Sequence, residues 1–293
     1  MGSVGIAILI AVLLYLGLLL LVGYVATRPP RSPLFLSPAA LGVPMEDVTF
    51  TNSEGQTLRG WWVPAENPKA VAVLLHGYVM SRSENASVAA ELCRWGISCL
   101  LFDFRACGKS DGTRTTIGWE ERKDVFAAVE LARQRHPDLP ILLIGSSMGA
   151  AAAAFALGER DDLATCAILD SSYSSLVGAT LGWWRWLGGR LLEVLLAPVA
   201  VVAIPIAGFN PFRADVARSL ARANCPILLI HGTRDDLVRP EHAKRNLALG
   251  GPHVRLEWME GVGHSEARWA EPERFYERIR AFLADVGVLS QQD

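Results

Sequence analysis

The stretch Ile141-Leu142-Leu143-Ile144-Gly145-Ser146-Ser147-Met148-Gly149, which runs into Ala150 to Ala154 and Phe155, decides the fold. Four apolar residues with β-branched ends read as a buried strand, and the small residues after Gly149 read as a helix. Between them lies G-x-S-x-G. A serine there sits on a sharp strand-to-helix turn, with glycines on both sides because side chains would meet the crossing backbone. The turn lifts the Ser147 hydroxyl out of the sheet, and the N-terminus of the following helix favours negative charge beside it.

Two later loops carry the groups such a serine needs. Ile227-Leu228-Leu229-Ile230 ends in His231-Gly232-Thr233-Arg234-Asp235-Asp236-Leu237-Val238, a strand followed by a carboxylate-bearing loop. Val254 to Met259 alternates as a strand and gives way to Gly261-Val262-Gly263-His264-Ser265. A hydroxyl is a poor nucleophile at neutral pH until an imidazole takes its proton. The imidazole in turn needs a carboxylate to fix its tautomer and stabilise its charged form. Asp236, adjacent to Asp235, and Asp170, at the end of the strand Ala167-Ile168-Leu169, are rival acids.

With the chain order Ser147, Asp235, His264, the sequence resembles the α/β-hydrolases, in particular their serine-aminopeptidase-like and monoacylglycerol-lipase-like branch. His76-Gly77-Tyr78 stands after the strand Val71 to Leu75, where that family keeps its H-G-x oxyanion turn. Asp103 to Ser110 is similar to the family's D-x-R-G-x-G-x-S segment, with Ala106 in place of the first glycine, so that loop is expected to bend differently. The likeness spans roughly residues 45 to 285. It implies Ser147 as nucleophile, His264 as base, Asp235 as acid, and the backbone N–H groups of Tyr78 and Met148 as oxyanion hole. The D-x-x-V spacing to Val238 favours Asp235 over Asp236. His76 and His231 read as turn-shaping residues, Asp103 with Arg105 as a structural pair, and His136, His242 and His253 as solvated. The implied reaction is hydrolysis of an ester through an acyl-enzyme, without cofactor. Amide or thioester hydrolysis is the alternative within enzymes, and a membrane-tethered, non-catalytic binding protein is the alternative outside them.

Strands at Asp47–Thr51, Leu58–Val63, Val71–Leu75, Ser98–Phe102, Ile141–Ile144, Thr165–Leu169, Ile227–Ile230 and Val254–Met259 give an eight-stranded, mostly parallel sheet. From the third strand on they alternate with helical patterns, including Ala86–Trp95, Trp119–Arg135 and Pro272–Asp285, so helices cover both faces. The first two strands lack helical crossovers and are expected to form an antiparallel edge.

From Val4 to Ala26 no residue is charged. About 20 such residues cross a bilayer core. Residues 1–27 therefore read as a transmembrane anchor, 28–44 as a Pro-rich spacer and 45–293 as the hydrolase domain. A cleaved signal peptide competes. No Lys or Arg precedes the run, however, and Tyr24-Val25-Ala26 is a poor cleavage context. Arg28 and Arg31 after the span put the domain on the cytoplasmic side, as do five cysteines without a disulfide pattern. The net charge of -2 and the lack of a basic, aromatic-interleaved patch exclude nucleic acid as an expected partner. No motif suggests a metal.

An insertion at about 173–223 holds Trp183, Trp184, Trp186 and the apolar run Leu191 to Phe209. A second membrane crossing there would separate Ser147 from Asp235 and His264. The segment therefore reads as a lid, with the tryptophans as candidate substrate-binding residues for an apolar or amphiphilic, lipid-like acyl substrate. Packing of the same tryptophans on the core is the plainer alternative.

Overall fold

The computed structural model describes residues 2–290; the outer limits of the anchor and of the hydrolase domain, at residues 1 and 293, lie outside the described residues. Its centre is one eight-stranded sheet: β1 (Glu46–Thr51), β2 (Thr57–Val63), β3 (Ala70–Leu75), β4 (Ile97–Phe102), β5 (Ile141–Ser146), β6 (Cys166–Asp170), β7 (Ile227–Gly232) and β8 (Val254–Met259). The order across it is β1-β2-β4-β3-β5-β6-β7-β8. β1 and β2 form the antiparallel edge, and β4, β3, β5, β6, β7 and β8 run parallel.

The strands are apolar on both sides because both faces are covered. Val71, Val73 and Leu75 of β3 point into one core layer, whereas Ala70, Ala72 and Leu74 point into the other. In chain order the helices are α1 (Ser3–Ala26), α2 (Ala86–Arg94), α3 (Arg122–Arg135), α4 (Met148–Leu157), α5 (Leu176–Leu196), α6 (Val199–Val202), α7 (Ile204–Ala207), α8 (Val216–Leu220), α9 (Pro240–Gly250), α10 (Ala267–Ala270) and α11 (Pro272–Asp285). α3 and α4 pack on the first layer, α2 and α11 on the second. Every residue of α4 is buried, and its alanines let it lie close against β5. α3 starts at Arg122 rather than Trp119 because the buried Glu121 carboxylate holds that approach as a turn. It accepts the amides of Thr116 and Gly118 and the hydroxyls of Thr115 and Thr116.

β3 has β4 on one side and β5 on the other, so the chain leaves their C-terminal ends in opposite directions. A crevice opens where connections diverge in this way. The turn after β3 and the turn after β5 both border it.

The insertion closes on itself. A bridge between Ser175 and Asp215 pins its two ends, and Arg245 bonds the Asp215 carboxylate twice. Within it α5 is broken at Gly188 and Gly189, whose backbone leaves helical geometry.

α1 is the one helix among the described residues long and apolar enough to cross a membrane. Its C-terminal half is not free. Leu19 is buried with Leu196, Val199 and Ala203 of the insertion, and the Tyr15 hydroxyl donates to the Leu195 carbonyl. The Pro-rich segment after it is extended but bonded along the domain. The Arg31 guanidinium donates to the carbonyls of Cys107, Gly108, Ser110 and Gly112, and Ser81 and Ser83 bind Pro33 and Phe35.

Three expectations about loop residues are corrected. Asp103 and Arg105 are not a pair: Asp103 faces Arg82 and accepts the Arg82 and Lys109 amides, whereas Arg105 is bonded to Asp124 and Glu54. In a continuing strand residues two apart would share a side, but Arg105 already lies in the turn that follows β4, so its side chain leaves in a different direction and finds separate partners. Ala106 does not rebend its loop but takes φ 59°, the left-handed region a glycine would occupy, at a cost of about 1–2 kcal/mol for a residue with a Cβ. Finally, His136, His242 and His253 are half-buried: His136 stacks on Trp62, His242 bonds Ser174, and His253 bonds the Leu220 carbonyl.

Candidate active site

Ser147 stands between β5 and α4 with φ 50° and ψ −112°, a strained turn fixed by what surrounds it. Its amide donates to the Asp170 carbonyl at 2.8 Å. The flanking glycines are sterically required. A Cβ on Gly145 would sit 2.5 Å from the Ala150 nitrogen, and one on Gly149 would sit 2.2 Å from the Leu75 carbonyl oxygen.

The turn brings Ser147 Oγ to 2.9 Å from His264 Nε2, and His264 Nδ1 lies 2.7 Å from Asp235 Oδ2. Asp235 is buried, and its other oxygen accepts the amides of Leu237 at 3.0 Å and Val238 at 2.7 Å. His231 braces the same loop through a 2.7 Å bond between Nε2 and the Val238 carbonyl. A carbonyl only accepts, so His231 carries its proton on Nε2. Burial lowers its basicity, against the pull of Asp235, and keeps this imidazole neutral. Asp236, by contrast, is exposed.

Asp170 is placed differently. Its carboxyl is buried, takes one hydrogen bond from Ser171 Oγ, and leaves Oδ2 without a partner. Burial pushes it up to about 6, with Arg268 pulling the other way. What it gives to Ser147 is its backbone carbonyl.

His76 shapes the turn after β3: Nδ1 lies 2.7 Å from the Gly77 carbonyl, and Nε2 accepts the Phe104 amide. Behind this turn lies a buried network that no sequence pattern signalled. Glu84 accepts the Gly77 amide at 2.6 Å and pairs with Arg268, which also bonds Asn85 and Ser146. Arg268 and Glu84 thus tie the turn after β3 to the strand that carries Ser147.

Ser147, Met148, Tyr78 and His264 border one cavity of about 390 Å³, within the usual size of ligand pockets. The rest of its wall is mostly apolar and includes Ile117, Leu176, Trp183 and Trp186. Trp184, next in sequence, faces away from Ser147 toward α1. Cys107 lies buried in its loop, and burial pushes its thiol well above the ordinary range, so it stays protonated. Among the described residues no three His, Cys, Asp or Glu side chains gather as a metal-binding group.

Known proteins share this arrangement of chain. The family described as serine aminopeptidase, S33, matches residues 66–201. An uncharacterised protein of Mycobacterium tuberculosis is 30% identical over 249 residues, 84% of this chain and 81% of that one. A monoacylglycerol lipase of Mycolicibacterium smegmatis is 27% identical over 246 residues, 73% of this chain and 86% of that one. Among solved structures, an esterase from Pyrococcus furiosus superposes with a TM-score of 0.73 at 30% identity, covering 89% of this chain and 98% of that one.

Proposed function

The chain belongs to the α/β-hydrolases of the serine aminopeptidase (S33) family, and from that membership we propose that it is a membrane-anchored serine esterase acting on apolar acyl substrates. The observation that carries the reading is the continuous hydrogen-bonded line from Ser147 Oγ through His264 to Asp235, at 2.9 and 2.7 Å, opening onto an apolar cavity.

In this reading Ser147 Oγ attacks the ester carbonyl while His264 Nε2 takes its proton. Asp235 holds the imidazole with Nδ1–H toward itself and stabilises the imidazolium. The carbonyl oxygen, now negative, is received by the backbone N–H groups of Met148, at the start of α4, and Tyr78. His264 returns the proton to the leaving alkoxide, the C–O bond breaks, and an acyl-Ser147 remains. Water, deprotonated by His264, then releases the acid. None of these steps calls for a cofactor. The cavity's apolar wall, with Trp183 and Trp186, and the esterase and lipase relatives support a hydrocarbon acyl group over a peptide.

α1 is read as a retained anchor, with residues 28–44 strapping it to the hydrolase domain and the insertion at about 173–223 acting as lid. Its burial of Leu19 and Gly23 against the insertion supports retention, because cleavage would uncover that contact. Arg28 and Arg31 at its C-terminal end, and cysteines that are all free, support a cytoplasmic domain.

A fluorophosphonate probe tests the reading. The wild-type protein is expected to be labelled at Ser147 and to hydrolyse acyl esters, and Ser147→Ala to lose both while keeping its thermal stability. Labelling that survives the substitution would place the nucleophile elsewhere.

A further inference from the structure

The cavity at Ser147 does not end at the lid. A second apolar cavity of about 440 Å³ adjoins it, and Tyr78, Val79, Ile117, Thr180 and Trp183 border both. Its far wall is the last turns of α1 and the start of the Pro-rich segment: Leu21, Val22, Val25, Ala26, Pro29 and Pro30. The partition between the two is a pair of rings. Tyr78 and Trp183 meet edge to face with centroids 5.2 Å apart, and the Tyr78 hydroxyl is fixed to the Ala26 carbonyl at 2.7 Å.

The mouth of the second cavity has a definite depth. α1 rises about 1.5 Å per residue, and a bilayer core is about 30 Å thick. If α1 spans it, Leu21 to Ala26 lie in the leaflet next to the hydrolase domain. The lid follows α1 further in, as the bond from Tyr15 to Leu195 shows. On its outer side Leu187, Leu191, Val194, Leu195 and Val201 are all exposed, an apolar surface that water disfavours and acyl chains match. The charges in this part are accounted for. Arg185 is paired with Glu193 at 2.5 Å, and Arg190, exposed at the Gly188-Gly189 break, has the reach to snorkel to the headgroups.

We propose that the two cavities are one acyl channel, walled on its outer half by the membrane helix itself, through which a lipid ester's hydrocarbon chain passes sideways between the leaflet and Ser147. The chain lies between α1 and the lid, with its carbonyl at Ser147, so it never has to be transferred through water. Exposing each further methylene to water adds a similar cost, so a lateral path removes a barrier that grows with chain length. α1 is then part of the binding site as well as a tether. This inference rests on the esterase reading, since it needs Ser147 to be where the acyl carbonyl docks.

The test uses the full chain in phosphatidylcholine vesicles and a hexadecyl fluorophosphonate carrying a diazirine at the end of its chain. Ser147 displaces fluoride from phosphorus, which fixes the head of the probe; light then expels nitrogen from the diazirine and joins the tail to whatever lies beside it. Peptide mass spectrometry is expected to find the tail on residues of α1 between Leu21 and Ala26, or on Trp184 or Leu187. Phosphonylation with the tail attached only to Trp186 or Trp269, which line the first cavity but not the second, would overturn the channel and leave the esterase reading standing. Absence of phosphonylation would overturn both. As a second measurement, Val25→Trp fills the mouth from an exposed position of α1. The ratio of kcat/KM for a palmitoyl ester to that for a butyryl ester is expected to fall about tenfold, the effect of a few methylenes losing their wall. An unchanged ratio would count against the channel.

Discussion

Asp235 Oδ2 lies 2.7 Å from His264 Nδ1, while the Asp170 carboxyl, only one strand away from Asp235, makes no hydrogen bond to that ring. Both aspartates end a strand region of the crevice, and the loop after β7 decides between them. The amides of Leu237 and Val238 turn Asp235 toward His264. Asp235→Asn is expected to lower ester turnover by about 10⁴-fold, the scale seen when a triad acid is neutralised and the histidine takes the wrong tautomer. Asp170→Asn keeps the Ser171 bond and the backbone carbonyl that holds Ser147, so its loss is expected to be far smaller. Steady-state rates of the two variants decide it, and the reverse ranking would transfer the acid role to Asp170.

The elements near Ser147, Asp235 and His264 were legible in the sequence because each follows an apolar strand and sits among small turn residues. Local pattern therefore coincides with three-dimensional place. The antiparallel edge was legible for a similar reason, since no helical run separates its strands. The partners of Asp103 and Arg105 were not, because a side chain's direction within a loop is set by residues distant in sequence. Arg268 and Glu84 are 184 positions apart, and no periodicity joins them. The seating of the insertion on α1 was hidden as well. The apolar residues of α1 read the same whether they meet lipid or protein, and the burial of Leu19 and the close approach of Gly23 to Ala203 show which side is covered.

The Arg268–Glu84 pair is a stability liability as well as a brace. Both side chains are almost fully buried, at 2% and 5% exposure. Removing one partner from a buried ion pair leaves the other charge uncompensated, at a cost of about 3–5 kcal/mol. Arg268→Met is therefore expected to destabilise the fold by that amount in denaturant titration. Arg268→Met combined with Glu84→Gln should recover part of it, because a neutral amide can still meet the Gly77 amide. A loss below about 1 kcal/mol for the single variant, the size of a surface pair, would mean the pair is better solvated than its burial implies.

His242 supplies a pH dependence. Its Nδ1 accepts the Ser174 amide at 3.1 Å, so protonation there would set two N–H groups against each other. Burial, helped by the positive neighbours Arg239 and Arg245 and opposed by Asp235, lowers it to about 4. Below pH 6.5 the unfolded chain gains a proton that the folded protein refuses, so stability falls as pH drops from 6.5 toward 4. By pH 4.5 the loss from this residue is expected to be about 2 kcal/mol. His242→Asn, whose side-chain oxygen can take the same amide, is expected to lose less stability than the wild type over that interval. Parallel pH curves for the two proteins would refute the assignment.

The contact between α1 and the insertion can be tested by its steric fit. A Cβ on Gly23 would lie 2.2 Å from the Ala203 Cβ, so the two backbones meet with no room for a methyl group. In a helix exposed only to lipid or detergent, Gly→Ala is favourable by about 1 kcal/mol on helix propensity alone. Against the insertion the same change overpacks the contact, which costs about 1–3 kcal/mol. The sign of the effect therefore reports whether the contact exists. Gly23→Ala is expected to lower the Tm of the detergent-solubilised full chain, and Ala203→Gly, which clears the methyl from the other side, to restore much of it in the double variant. A higher Tm for Gly23→Ala, with no coupling to Ala203, would mean that α1 and the insertion are not packed together and that α1 forms no wall of the proposed channel.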